Sequence, residues 1–344
     1  MTPSALHSDA IPPASAVGNV VSEFAELVSG SGLFDLTSRA KLALTGGDRM
    51  RWLNGMVTNN IRDLATGRGV YAFLLNPQGH ILGDMYAYNR GESVVIDTDQ
   101  SQLDKLAAIF DRYIIMDDVE VANLSDRLHT IGIAGPKAAE VLRNTGFEFP
   151  PLQPLQFTEV IWKNAPITIV RGDHPGVDWY ELWAAPEQVA ALHSTLTQAG
   201  AKPVGSAALD LLRIAAGIPR YGEDIRERDL PQETSQDRSL HFSKGCYVGQ
   251  EIVERIRSRG AVHRKFAGFE VEGPLPTPGA KVQFEGKDIG EITSVASLPV
   301  KGGDRHVAIG YIRREFASDK QVQAGATQLT VTDLPFAGIF SPKE

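Results

Sequence analysis

One cysteine in 344 residues constrains this chain more than any other feature. A single sulfhydryl excludes an intrachain disulfide. It also excludes a zinc-finger array or a self-contained cysteine-ligated cluster, both of which need several thiolates. The fold must therefore be held by apolar cores, and the chain is long enough for two or three of them. Apolar residues make up 42% and charged residues 22%, as in an ordinary globular protein. No run is apolar for the roughly 18 residues that a transmembrane helix needs. Met1 to Ala16 lacks a basic start and an apolar stretch, so it reads as a flexible tail and not as a signal peptide. A reducing cytoplasm is the expected compartment.

Periodicity gives the fold class. Lys41–Thr45, Val70–Leu75, Ile81–Tyr88 and Ser93–Ile96 read as strands, the last three forming an antiparallel meander around the turn Asn76-Pro77-Gln78-Gly79. A helix opens after Asp48, and Ser101–Phe110 has helical spacing with Ser101 placed to cap it. Val119–Leu124 and Leu128–Ile133 read as strands, followed by a helix from Gly135-Pro136 to Leu142. Pro150, Pro151, Pro154 and Pro166 mark residues 145–166 as a linker or long surface connection. Strands at Ile167–Val170 and Trp179–Trp183 and helices at Pro186–Gln198 and Ala207–Ala216 follow. After Arg264 short strands alternate with Gly/Pro turns, the pattern of a small barrel. The class is α+β with antiparallel sheets. The expected divisions are a tail and lead-in at 1–30, α+β modules at 31–145 and 146–263, and a β-barrel at 264–344. Neither a dinucleotide fingerprint nor a Walker loop is present.

The cysteine sits in Lys244-Gly245-Cys246-Tyr247-Val248-Gly249-Gln250-Glu251. A helix over Gln250–Arg257 would start just beyond it. That helix end and Lys244 would both favour thiolate over thiol. A lone cysteine is also often a small buried hydrophobe. Net charge is −8, which argues against direct nucleic-acid binding. Locally, Lys244 to Lys265 holds six basic residues (Lys244, Arg255, Arg257, Arg259, Arg264, Lys265) against Glu251 and Glu254. This run reads either as a solvated helix face or as a site for an anion: phosphate, a polyglutamate tail or RNA.

Ordered blocks then carry a resemblance. These are Asn54-Gly55-Met56-Val57-Thr58-Asn59-Asn60, Asn76 to Asp84, Ala134-Gly135-Pro136 and Leu212-Arg213-Ile214-Ala215-Ala216-Gly217-Ile218-Pro219. Over about residues 31–340 the chain resembles the folate-binding aminomethyltransferase (glycine-cleavage T-protein) superfamily. The Cys246 octapeptide is similar to the signature of its YgfZ branch, whose members assist iron–sulfur enzymes and are linked to tRNA modification.

The resemblance implies a clover-leaf of two α+β modules and a barrel around a channel for tetrahydrofolate or a folate derivative. It implies Glu181 as the carboxylate on the pterin N–H edge, Arg213 as an arginine at that site, and Asp84 as the aspartate acting on the folate. Without it, Glu181 reads as an outward strand residue and Arg213 as a helix ion-pair partner. Gly83 stands where the transferases carry the first of two aspartates. Arg171-Gly172-Asp173-His174-Pro175-Gly176 replaces their Gly-Tyr-Thr-Gly-Glu loop. Three functions are thus open: a folate-dependent accessory factor for iron–sulfur proteins using Cys246, with client or assembly proteins as partners; a one-carbon transferase using Asp84; or a folate sensor or scaffold. No metal site is expected.

Overall fold

A computed structural model describes residues 19–260, 262–316 and 320–340, with the side chain of Arg259 also left out. The expected tail over Met1–Ala16 lies outside the described residues. The lead-in is a helix, α1 (Val20–Ser29), capped by the Asn19 side chain and burying Phe24 and Leu27.

The chain continues through β1 (Gly32–Asp35), β2 (Arg39–Thr45), α2 (Arg49–Met56), β3 (Arg68–Leu75), β4 (Ile81–Asn89), β5 (Val94–Asp99), α3 (Leu103–Tyr113), β6 (Glu120–Asn123), β7 (His129–Ala134) and α4 (Ala138–Asn144). Next come β8 (Phe157–Trp162), β9 (Ala165–Arg171), β10 (Trp179–Ala184), α5 (Pro186–Gln198), β11 (Lys202–Pro203), α6 (Ser206–Ala216) and α7 (Gln250–Arg259). The last part is all strand: β12 (Arg264–Glu272), β13 (Lys281–Phe284), β14 (Lys287–Val300), β15 (Gly303–Arg313), β16 (Gln321–Ala324) and β17 (Thr327–Thr332).

Three sheets result. A five-stranded antiparallel sheet runs β3-β4-β5-β2-β6, and a six-stranded sheet runs β11-β1-β7-β10-β9-β8. The strands β12-β15-β14-β13-β16-β17 close into a barrel, which removes the open edges. The α+β class with antiparallel sheets and a terminal barrel is therefore observed. Each sheet has its own core. Leu42, Leu53, Ile96, Leu106 and Phe110 fill the first, Leu33, Ile133, Leu182, Leu192 and Leu196 the second, and Phe269, Ile292, Ile312 and Val331 the barrel. Helices α1 and α6 join the six-stranded sheet to the barrel through Phe24, Leu27, Leu212 and Ile214 against Phe266, Leu298 and Ile309.

The two open sheets meet over Tyr88, Val95, Phe157, Val170 and Trp183. Within this seam lies a buried charge. Lys41 on β2 and Asp97 on β5 are register partners, with side chains 0% and 1% exposed and 2.8 Å apart. The Lys41 ammonium also donates to Thr130 Oγ1 on β7 at 2.9 Å and lies 4.7 Å from the Trp183 ring centroid on β10. One cation thus binds both sheets.

Several expectations need correction. The proline-rich 145–166 segment contains β8, which pairs with β9 along its length. Pro150, Pro151 and Pro154 precede the strand, and Pro166 lies near the start of β9, opposite Ile161 and before the part of β9 that pairs with β10. The division at 145/146 does not separate the sheets, because β1 and β7 pair beside β10. Ser101 does not cap α3: Asp99 accepts from the Ser101 N–H and starts a short 3₁₀ turn ahead of the helix. Asp48 precedes α2, but its carboxylate accepts from the Asp118 backbone and Arg51 and not from the helix's own N–H groups. The strands β16 and β17 were not read from the sequence.

Burial raises the Asp97 carboxyl, but the Arg39 and Lys41 cations outweigh that and hold it below the usual carboxylate range. Its contribution to stability is complete above the unfolded carboxyl value and is lost as pH falls through the lower folded one. Asp97→Ala leaves Lys41 buried and unpaired, and should cost about 3–5 kcal/mol at pH 7 in urea unfolding. The double variant Lys41→Met/Asp97→Leu should recover most of that loss.

Candidate functional site

Trp179, Glu181 and Trp183 alternate along β10 and so share one face. Glu181 Oε1 accepts from Trp179 Nε1 at 3.2 Å, and Oε2 accepts from Trp183 Nε1 at 3.0 Å. Each oxygen keeps a lone pair for a further donor. Trp183 is 1% exposed and is wedged against Tyr88 at 5.1 Å, edge to face. Trp179 stacks on His174 and tilts against Phe34. The carboxylate is therefore held at a fixed place in the wall of a cavity of about 200 Å³, which is also lined by Arg39, Tyr86, Asp173, Leu212 and Arg213.

A larger cavity of about 680 Å³ shares Asp173 and Ile218 with the first, and adds Ser235, Gln236, Arg238, Lys265 and Leu334. Together the two fall in the range of small-molecule sites, roughly 300–1,000 Å³. Where they join, Arg238 pairs with Asp173, and Tyr86 donates its hydroxyl to Asp173 at 3.1 Å. The Arg238 guanidinium lies 4.4 Å from the Tyr71 ring centroid.

Arg213 is brought to the same cavity as Glu181, but its guanidinium is occupied. It bonds Asp210 at 2.6 Å, Asp224 at 2.7 Å, Glu223 at 3.0 Å and Ser294 at 3.1 Å. It is the ion-pair partner that residue type alone suggested, and it anchors α6 to the barrel. Asp84 lines neither cavity. Its carboxylate accepts from Tyr71 Oη at 2.7 Å and Gln102 Nε2 at 2.7 Å. Burial first, then the Asp84 charge, keep Tyr71 protonated and donating. Gln102 also explains Gly83, where a Cβ would meet Gln102 Oε1 at 2.9 Å and Leu106 at 3.0 Å. A side chain at 83 would require Gln102 to shift from this clamp.

Cys246 is exposed and lines neither cavity. Its loop packs on α2 of the five-stranded half, although the expected division grouped it with the second module. The Lys244 ammonium turns inward and donates to the Asn54 carbonyl; the Val248 N–H donates to the Gly55 carbonyl at 3.2 Å. Gly249, at φ +81°, sits where a Cβ would meet the Asn76 carbonyl at 2.6 Å. The blocks around Asn54, Asn76 and Cys246, far apart in sequence, thus form one contact. Gln250 Oε1 accepts from the Tyr247 N–H at 3.2 Å and closes the loop, Gly245 turns it at φ +94°, and Glu251 pairs with Arg255 on the surface. The basic run does not form one face. Arg257 pairs with Glu254, while Arg264 turns inward to Asp229 and Glu233.

The family model described as the GCVT N-terminal domain matches residues 9–244. The chain belongs to this GCVT family. Residues 263–337, the barrel, match the CAF17 C-terminal beta-barrel domain. An aminomethyltransferase of Rubrobacter xylanophilus is 29% identical over 288 residues, covering 83% of this chain and 77% of its own. One from Thermus thermophilus is 27% identical over 329 residues, covering 92% and 90%. The crystal structure of the glycine cleavage system aminomethyltransferase T of Bartonella henselae shares the fold: the TM-score is 0.84 at 24% identity, over 94% of this chain and 91% of that one.

Arg39, Tyr86, Trp179, Trp183, Asp173 and Arg238 were missed by the sequence reading. Two of them had a readable signal: indoles two residues either side of a strand carboxylate share its face. The others come from different elements and meet only in the fold. No helix among the described residues is long and apolar enough to cross a membrane.

Burial first, then the Arg62 charge, push the Lys244 ammonium from its usual 10.5 down to about 8, against the opposing pull of Cys246. Between those values the unfolded chain holds more protons than the folded one, so this group adds stability as pH rises from about 8 to 10.5. The stability of wild type relative to Lys244→Met should rise across that window in urea titrations. A flat difference would contradict the assignment.

Proposed function

We propose that this chain binds tetrahydrofolate or a related folate in the cavity walled by Glu181, and that it serves iron–sulfur proteins through Cys246 and does not transfer aminomethyl groups. The observation that carries the folate reading is the Glu181 carboxylate, which two indoles hold with one lone pair free on each oxygen. A pterin offers adjacent N–H donors of that spacing. The flat aromatic walls Tyr86, Tyr88 and Trp179 suit a flat bicyclic ring, and the adjoining larger cavity has room for the rest of the molecule. Arg213 would reach the ligand only by exchanging one of its present carboxylates. The bound folate would supply one-carbon chemistry or act as a reporter of folate state; the chain's own residues bind and orient it.

The aminomethyltransferases among its relatives support a second reading, one-carbon transfer with Asp84 at the folate. Two features weigh against it. The Asp84 carboxylate is engaged by Tyr71 and Gln102, and Gly83 leaves no first aspartate. The exposed Cys246 on a loop bolted to α2 favours the first reading, because a thiol so placed can meet a protein partner.

Calorimetry should detect tetrahydrofolate binding, weakened by about 1.5–3 kcal/mol in Glu181→Ala through loss of a charged hydrogen-bond acceptor. No binding at millimolar ligand would overturn the folate reading. Methylene-tetrahydrofolate formation from an aminomethylated carrier protein would favour transfer. In a strain lacking this chain, wild type should restore iron–sulfur enzyme activities and Cys246→Ser should not; equal restoration removes the thiol from the function.

A further inference from the structure

The middle cavity continues outward. A third cavity, of about 340 Å³, shares Ser235, Asp237 and Lys265 with it and adds Phe242, Arg257 and Arg314. The Glu181 cavity, the middle cavity and this outer one therefore form a line of three, linked by shared walls. Charge is unevenly placed along it. The outer cavity has three cations, Arg257, Lys265 and Arg314, against the one carboxylate of Asp237.

These cations are available. Neither Lys265 nor Arg314 forms an ion pair with any described residue. Arg257 has only the exposed Glu254 at 3.5 Å, a contact that a ligand anion can displace. Its guanidinium also lies 4.4 Å from the centroid of the Phe242 ring, which is 39% exposed and forms a flat apolar wall beside the cations. The basic run noted in the sequence is thus split. Arg264 serves the fold, while Arg257 and Lys265, joined by Arg314 from beyond the run, face this concavity.

The geometry points to an outer subsite for the poly-γ-glutamate tail of a folate, an inference that rests on the folate reading of the inner cavity. The tail is a linear chain with one carboxylate per residue, and a line of cavities ending in Lys265, Arg314 and the weakly paired Arg257 matches such a chain. Asp237 and Lys265 line both the middle and the outer cavity, and Arg238 in the middle one is already paired with Asp173; Arg257 and Arg314 are added only by the outer cavity, so the cationic contacts open to a tail come further out. A nucleic acid needs a broad basic face. Here Arg257, Lys265 and Arg314 line one small concavity on a chain of net charge −8.

The test compares tetrahydropteroyl-monoglutamate with the tetraglutamate by calorimetry, on wild type and on Arg257→Ala/Arg314→Ala, at low and high salt. Wild type should bind the tetraglutamate about tenfold tighter, from a few partly exposed charge contacts. The gain should shrink with salt. The double variant should lose the gain and keep monoglutamate affinity, and Arg257→Lys/Arg314→Lys should retain most of it. Equal affinity for both ligands in wild type overturns the subsite and leaves the folate reading standing. A gain that survives in the double variant also overturns the assignment. Binding of neither ligand overturns both readings. A structured RNA that binds wild type and not the double variant, with no gain from the tetraglutamate, would reassign these cations to nucleic acid.

Discussion

The Lys41 ammonium, fully enclosed between two sheets, is the contact on which the site depends. Removing a cation from water is costly unless it is paired and hydrogen-bonded. Here Asp97 supplies the pair, Thr130 the second oxygen and Trp183 a π-face. The arrangement is directional. If the sheets slid by one residue, Lys41 would keep Asp97 on its own sheet but lose Thr130 and Trp183 on the other. A purely apolar seam of Tyr88, Val95, Phe157 and Val170 would tolerate more slippage, since apolar burial is not directional. The charge therefore specifies how the sheets meet.

That specification passes directly to Glu181. The indole of Trp183 contacts Lys41 with its face and donates its N–H to the Glu181 carboxylate. A residue that locks the sheets thereby also orients the acceptor in the cavity. Arg39, one register step from Lys41 on the pattern of β2, binds the same Asp97 and forms part of the cavity wall. The inner cavity is consequently lined by groups whose positions the core determines, as a preorganised acceptor requires. The junction with the middle cavity differs. There Asp173 comes from a loop and Arg238 from a short 3₁₀ turn, and their ion pair rests against Tyr71 and Tyr86 on β3 and β4 without being part of a sheet itself.

What the sequence made legible follows the range of the forces involved. Strand and helix positions with local periodicity were readable, including the meander β3–β5, α5 and the start of the barrel. The strand β8 was hidden by the prolines on either side of it, three before it and Pro166 opposite Ile161 on β9, which dominate composition. Ser101 lost the cap to Asp99, because a shorter carboxylate turn can form first. The resemblance implies Glu181 as a pterin carboxylate, and the fold adds the two indole donors that hold it. Arg213 was assigned a ligand role, whereas Asp224, Glu223 and Asp210 occupy it. Those carboxylates are 3 to 11 residues away in sequence, close enough that a reading of local charge could have paired them. The Arg238–Asp173 contact, 65 residues apart, could not have been read that way.

The cysteine loop shows how a motif can be specific without serving a cavity. Lys244 is spent on the Asn54 carbonyl, and Gly249 on close passage over the Asn76 turn. Gly245 supplies a left-handed turn at φ +94° beside the thiol. Lys244 and Gly249 are required by the contact of one loop with α2 and the Asn76 turn, and Cys246 is a member of the run that the contact does not use. A loop that spends its neighbours on anchoring and leaves its thiol outside presents that thiol to solvent. The Asn76 turn beneath it leads directly into β4, which carries Asp84 and Tyr86. Ile81 on β4 packs in one cluster with Tyr247 and Val253, and Tyr86 on the same strand lines the inner cavity, so the thiol loop and the cavity share a strand.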